Sequence, residues 1–333
     1  MKAMVLARTS DVSSSPLHLE DRPVPAPQPN QLLVKIHVCG VCRTDLHVVE
    51  GELPDVALPI IPGHQAVGTV MQLGADVSEI KEGDRVGIAW LQGTCGQCEF
   101  CTSGRENLCL HAKFTGYQVD GGYAEYAVVL ARFAYPIPQI FSDDEASPLL
   151  CAGIIGYRAL RLSGIKPGQR LGLYGFGASA HIAIQIARHW GCQVYVSSLK
   201  QEHQELAKQL GAVWVGGATE MPPDKLHSSI IFAPAGELVP PALRALDRGG
   251  TLALAGIHMS PIPSLDYDRD VFGERVIRSV TANTRQDGID LLREAAAIPI
   301  KPRTVRFSLK EANRALQELK AGNFQGAAVL TMQ

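Results

Sequence analysis

The 333-residue sequence lacks an excess of either charge. Lys and Arg number 31 against 33 Asp and Glu, a formal net charge of -2. A chain so nearly neutral exerts no global pull on nucleic acid or anionic lipid. It also lacks any uninterrupted apolar run of the ~18 residues that span a bilayer. Its start, MKAMVLARTS, lacks the ~7–15-residue apolar core of a secretory signal. No internal repeat and no low-complexity tract is present. These absences lead us to expect a soluble, cytoplasmic protein without nucleic-acid or membrane partners. What is there, 46% hydrophobic and 19% charged residues, is unlike a disordered chain. The length suggests two domains of the usual size, and small-molecule chemistry is the expected business of such a chain.

Eight cysteines raise the question of a disulfide scaffold. That arrangement belongs to short secreted chains, whereas clustered cysteines in an intracellular protein bind metal or do chemistry. Cys95, Cys98, Cys101 and Cys109 stand in TCGQCEFCTSGRENLC. Four thiolates in one loop suit a tetrahedral zinc site, and the interleaved glycines let the backbone wrap the ion. Four sulfurs leave no open position, so this site is expected to be structural rather than catalytic; an iron–sulfur cluster is the alternative, although the ligand runs of ferredoxins differ from this spacing. A second set is spread out: Cys42 opens CRTDLH, His64 lies in PGHQ and Cys151 in LLCAG. Together they offer the two thiolates and one imidazole of a catalytic zinc with a fourth position open, and Asp45 is a carboxylate able to orient an imidazole. Taken singly, each also fits a buried hydrophobe or a turn residue, and spacing alone leaves both readings open. Cys39 and Cys192 belong to neither set and read as buried small hydrophobes.

The texture of the chain changes near residue 153. Before it, proline-punctuated short runs such as Leu32 to Val38 and Ala66 to Leu73 read as strands joined by turns. After it come alternating elements: strands at Leu171 to Tyr174, Gln193 to Val196, Ser229 to Ala233 and Thr251 to Ala255, the last following a Gly249-Gly250 turn. Helices lie between them at Ala178 to Trp190 and Gln201 to Leu210. Such alternation implies a doubly wound parallel sheet. The tail returns to helices at Asp287 to Ala297 and Leu309 to Ala321 and a strand at Gly326 to Thr331.

Between the first two strands of that sheet stands Gly175-Phe176-Gly177-Ala178-Ser179-Ala180, a GxGxxA fingerprint in strand–turn–helix context. The first glycine turns the chain, the second lets backbone approach a pyrophosphate, and the helix N-terminus faces the anion, so Gly175, Gly177, Ala178 and Ala180 are expected to bind the cofactor. The acidic ribose partner usually found ~20 residues on is missing. No Asp or Glu occurs between Gly175 and Glu202, and the second strand runs out through Ser197, Ser198 and Lys200. Two hydroxyls and a cation there favour NADP over NAD.

The ordered combination of these motifs resembles the zinc-dependent medium-chain alcohol dehydrogenases over essentially the whole chain. CRTDLH, PGHQ and LLCAGIIGYRAL are similar to a bacterial group acting on simple primary alcohols. The resemblance implies that Cys42, His64 and Cys151 hold a catalytic zinc and Cys95, Cys98, Cys101 and Cys109 a structural one, two ions per chain. It implies that Thr44 touches the alcohol oxygen, that His47 passes the proton outward and that Asp45 orients His64. Arg43 is then expected to face the cofactor pyrophosphate and Arg285 the cofactor phosphates, with Trp90, Leu91 and Leu110 lining the substrate cleft. Gln65 follows His64 where many relatives carry Glu; its neutral amide cannot supply that charge.

The implied architecture is α/β: a β-rich, GroES-like catalytic domain of residues 1–152 and 283–333, interrupted by a Rossmann nucleotide-binding domain of residues 153–282. The implied activity is reversible hydride transfer between a primary alcohol, aliphatic or aromatic, and NAD or NADP, in a homodimer or homotetramer. A zinc-free enone or quinone reductase on the same scaffold would lack both ligand sets. A zinc ribbon for nucleic acid would need basic and aromatic residues, yet the loop offers Arg105 against Glu99 and Glu106 and one aromatic, Phe100.

Overall fold

The computed structural model describes residues 1–324 and 326–332. Two compact units divide the chain: Met1–Cys151 with Asn283–Ala296 and Lys301–Gln333, and Ala152–Ala282 with Ala297–Ile300. Among the described residues no helix is long and apolar enough to cross a membrane.

The first unit is built on the strand Gln31–Val41. Its residues, QLLVKIHVCGV, are β-branched or apolar at most positions, which suits a strand buried on both faces. It pairs antiparallel with Ala66–Leu73 along one edge, and along the other with Tyr126–Leu130 and then Ala327–Thr331. Arg85–Ile88 and Ala134–Pro136 extend one side of the sheet and Thr304–Ser308 the other, giving seven strands. Register is what places the chemistry. Cys39 lies opposite Ala66, and because the strands run in opposite directions, Cys42 just after the first and His64 just before the second emerge at the same end of the sheet.

Two helical segments complete that end. The helix Arg43–Glu50 starts at Cys42, whose sulfur accepts from the Thr44 N–H while Asp45 reaches back to the Cys42 N–H, a reciprocal cap. The helix Asp143–Pro148 is capped in the same way by Ser142 and Glu145. It runs into a π-helical turn, Leu149–Gly153, which carries Cys151. Nothing in the local sequence announces that turn, although such widened turns frequently mark functional positions.

The second unit holds six strands, all pairs parallel. Their spatial order is Trp214–Gly216, Gln193–Ser197, Arg170–Tyr174, Leu226–Ile231, Leu246–Leu254 and Val276–Ser279. In order of occurrence this is third, second, first, fourth, fifth, sixth, the doubly wound arrangement of dinucleotide-binding domains. The helix Ala178–His189 is buried along most of its length. Its neighbour Ile154–Ser163 approaches closely at Gly156, where a Cβ would stand 3.0 Å from the Ser179 carbonyl oxygen.

Two strands differ from the sequence expectation. The strand expected at Ser229 to Ala233 lies at Leu226–Ile231, because the polar Ser228 is accommodated by donating to the Ser163 carbonyl at 2.8 Å. Gly249-Gly250, expected as a turn, lies inside the strand Leu246–Leu254. It forms a bulge there, Leu226 pairing with Leu246 but Ser228 with Thr251, a shift that Gly249 permits at a φ of 71°.

Candidate active site

Cys42, His64 and Cys151 present their sulfur and imidazole atoms within 4.8 Å of one another. His64 is 1% exposed and Asp45 2%. The Asp45 carboxylate accepts from two donors: His64 Nδ1 at 2.9 Å through one oxygen and the Cys42 N–H at 2.9 Å through the other. That orientation turns His64 Nε2 toward the Cys42 sulfur, 3.3 Å away. The backbone allows it because Gly63 adopts a φ of 97°; a Cβ there would stand 2.3 Å from the Tyr123 ring.

The electrostatics follow from crowding these donors. A hydrogen bond with Cys151 and burial push the Cys42 thiol well above its ordinary value. Burial disfavours the His64 cation, but the charges of Asp45 and Cys42 outweigh it and carry the imidazole up to about 10. Without a cation the three donors can only share protons. A divalent cation replaces those protons and satisfies all three at once, and this donor chemistry fits zinc with one position left for a ligand.

The four-cysteine loop forms a second set, its sulfurs also within 4.8 Å of one another. Cys95 lies 3.8 Å from Cys101 and 3.6 Å from Cys109, and Cys98 3.5 Å from Cys101. Backbone N–H groups of Gln97 and Cys98 favour the Cys95 thiolate and lower it to about 6. The loop is tied down by Arg132, which donates to the Thr94 carbonyl at 2.9 Å.

The remaining candidate residues are placed as follows. Thr44 is buried at the first turn of the Cys42-capped helix, its N–H on the Cys42 sulfur at 3.3 Å. His47, one turn later, bonds through Nδ1 to Glu52. Arg43 is exposed. Gln65 is 2% exposed, and its backbone oxygen accepts from the Ser147 hydroxyl at 2.6 Å. Trp90 stacks on Phe114 and Tyr117, with centroids 5.0 and 5.7 Å away, and meets the His64 ring edge-on at 5.0 Å. Leu91 is fully buried, whereas Leu110 is 90% exposed. Arg285 lies in the first unit, its N–H on Glu106 at 2.8 Å and its guanidinium 5.5 Å from the Phe133 ring.

In the second unit Gly175 has a φ of 84°, and a Cβ there would stand 2.9 Å from the Ala233 nitrogen. At Gly177 a Cβ would meet nothing within 4 Å, and no side chain caps the helix that starts at Ala178. A turn with free space above uncapped N–H groups fits a pyrophosphate. Ala180 is fully buried, which suits close helix–sheet packing rather than ligand contact. Ser197 and Ser198 are buried, Lys200 is exposed, and the Ser198 hydroxyl lies 3.5 Å from His203 Nδ1.

Sequence reasoning missed Glu52, Phe114, Tyr117, Tyr123 and His203. Of these, Glu52 and His203 are local, each five residues from the group it meets, His47 and Ser198, and Glu52 is signalled by the glycine that ends the helix of His47; the others meet their partners through tertiary folding.

A doubly wound sheet with a glycine turn in one unit, and in the other a four-sulfur set beside a set of two sulfurs and an imidazole, define the class of zinc-binding dehydrogenases. Comparison with known proteins agrees. Residues 28–139 match the alcohol dehydrogenase GroES-like domain and residues 180–297 the zinc-binding dehydrogenase domain. The chain is 50% identical to the "Probable alcohol dehydrogenase AdhA" of Mycobacterium tuberculosis, over 99% of this chain and 97% of that protein. Among solved structures it is similar to a cinnamyl alcohol dehydrogenase of Sorghum bicolor (26% identity, TM-score 0.90, 99% of this chain and 97% of that one). It is also similar to a cobalt- and zinc-bound thermostable alcohol dehydrogenase of Pyrobaculum aerophilum (25% identity, TM-score 0.88, 99% of each). The chain belongs to the zinc-dependent medium-chain alcohol dehydrogenase family, and it is an oxidoreductase of the alcohol dehydrogenase type.

Proposed function

We propose that this alcohol dehydrogenase interconverts primary alcohols and their aldehydes with a catalytic zinc on Cys42, His64 and Cys151, a structural zinc on Cys95, Cys98, Cys101 and Cys109, and NADP(H) in preference to NAD(H). The observation that carries the proposal is the Cys42, His64 and Cys151 donor set backed by the doubly bonded Asp45. A zinc ion there supplies Lewis acidity to an alcohol hydroxyl, and a nicotinamide supplies the hydride acceptor.

The chain does the rest. Asp45 fixes the His64 ring so that Nε2 is the ligand atom. Thr44 is assigned to take the proton from the substrate oxygen at its hydroxyl, and His47 to take it onward at an imidazole nitrogen. The turn Gly175 to Ala178 offers N–H groups to pyrophosphate, with Arg43 and Arg285 as cations toward the cofactor phosphates. Ser197, Ser198 and Lys200 offer hydroxyls and a positive charge to a ribose 2′-phosphate, with no carboxylate in that segment to repel it. Trp90 with Phe114 and Tyr117 gives an apolar aromatic wall beside His64, which suits aliphatic or aromatic alcohols. None of the eight cysteines is joined in a disulfide, in keeping with a reducing, cytoplasmic setting. A homodimer or homotetramer is supported by the outermost strand Val276–Ser279, whose four residues are all exposed.

The test combines zinc per chain by elemental analysis with NADPH and NADH oxidation on benzaldehyde and short aliphatic aldehydes. Two zincs with turnover, faster with NADPH, is the expected result. One zinc without turnover would reject Cys42, His64 and Cys151 as a working site and make Gln65 the first suspect. Equal or better efficiency with NADH would reject the cofactor preference alone.

A further inference from the structure

The helix that begins at Cys42 ends at Gly51, whose φ of 73° reverses the chain. The reversal brings Glu52 back over the last turn, where its N–H donates to the His47 carbonyl at 2.9 Å. With the backbone held in this way, the Glu52 carboxylate bonds to His47 Nδ1. The two side chains differ in solvent access. His47 is 14% exposed and Glu52 49%, so the imidazole is largely covered while the carboxylate bound to it reaches water.

Of the charges near this pair, Glu50, Asp11 and Asp45 are engaged elsewhere, and Arg43 is a same-face neighbour of His47. Glu50 bonds to Lys320 at 2.6 Å and to the Val12 N–H at 3.0 Å. Asp11 bonds to the same Lys320 at 2.7 Å, and Asp45 is committed to His64 and Cys42. Arg43, one turn before His47 on the same helix, is exposed.

Resting on the reading of His47 as the proton relay, we propose that Glu52 is its positioning residue and the exit for its proton. The carboxylate accepts the Nδ1–H, which makes Nε2 the basic nitrogen. A proton taken up at Nε2 forms the imidazolium. The Nδ1 proton then passes to a Glu52 oxygen and on to water, one proton entering and one leaving, with only N–H and O–H bonds made or broken. Exchange with water returns the ring to its Nδ1–H form.

The test uses the zinc-loaded enzyme and the variants His47→Gln, Glu52→Gln and Glu52→Asp. Alcohol oxidation is followed at neutral pH in dilute and in concentrated imidazole buffer. Glu52→Gln is expected to lower kcat about tenfold in dilute buffer, with KM for the alcohol, zinc content and melting temperature unchanged. Concentrated imidazole should restore most of that loss without accelerating the wild type, and Glu52→Asp should retain part of the activity. Nitrogen-15 NMR of the histidines, with His47 identified by its absence in His47→Gln, is expected to show the neutral ring as the Nδ1–H tautomer. An Nε2–H tautomer overturns the proposal. So does a Glu52→Gln enzyme with wild-type kcat and no buffer dependence while His47→Gln is impaired. If His47→Gln is itself unimpaired, the relay reading falls and the proposal with it. Loss of zinc or of thermal stability in both Glu52 variants would make Glu52 structural and overturn it as well.

Discussion

Asp45→Asn is the substitution that asks most of the site. Both carboxylate oxygens of Asp45 accept a hydrogen bond, from His64 Nδ1 and from the Cys42 N–H, each at 2.9 Å. An asparagine has one oxygen and one NH2 group, so whichever way the amide turns, a donor faces a donor. At a side chain 2% exposed, water does not relieve the mismatch, and a buried unsatisfied donor costs about 1–3 kcal/mol. Most of that loss falls on metal binding, because His64 needs its Nδ1 proton held in order to present Nε2. At about 1.4 kcal/mol per decade, zinc affinity at Cys42, His64 and Cys151 should fall ~10–100-fold, in line with substitutions behind metal-bound imidazoles. The assay is zinc titration of the stripped protein against a competing chelator. The four-cysteine loop serves as internal reference, since Asp45 touches none of its sulfurs and its affinity should not change. A folded Asp45→Asn protein with wild-type affinity at both sites would refute the reasoning.

Other outcomes follow from the same geometry. Cys42→Ser should abolish turnover while leaving the fold intact, whereas Cys98→Ser should mainly lower the melting temperature; activity assays and thermal melts of the two separate these roles, and full turnover in Cys42→Ser would overturn the assignment. Lys200→Ala should weaken NADPH binding about tenfold with little effect on NADH, as read by fluorescence titration of each nucleotide; equal losses for both would remove Lys200 from 2′-phosphate recognition. The His37 hydrogen bond, reinforced by Arg85, holds the Asp143 carboxyl below its usual 3.8. Its folded value is therefore depressed, and the stability it contributes is full above that usual value and lost as pH falls through the folded one. Denaturant midpoints measured down an acid series should accordingly fall less steeply for Asp143→Asn than for the wild type, and parallel curves would count against the ion pair.

What the sequence determined by itself was local. Cys95 to Cys109 announce a closed sulfur site because four ligands sit in one short loop, where loop closure fixes their proximity. Gly175 to Ala180 announce a phosphate turn because strand, turn and helix are consecutive. The strand–helix alternation around them implied the parallel sheet for the same reason. Cys42, His64 and Cys151 carried no such signal in their spacing, and only the order of motifs along the whole chain joined them. Their meeting depends on the Cys39–Ala66 register and on the π-helical turn at Cys151, neither of which is written in the neighbouring residues.

Tertiary structure alone decided the surroundings. It stacked Phe114 and Tyr117 on Trp90, placed Tyr123 behind Gly63 and bound Arg285 to Glu106. Most of these partners are far apart in the chain and come together through strand pairing and the packing that follows it. A local pattern specifies the dihedrals and the buried face of one element. Which side chains then converge from different elements depends on how the sheet aligns them, and that alignment is a property of the folded whole.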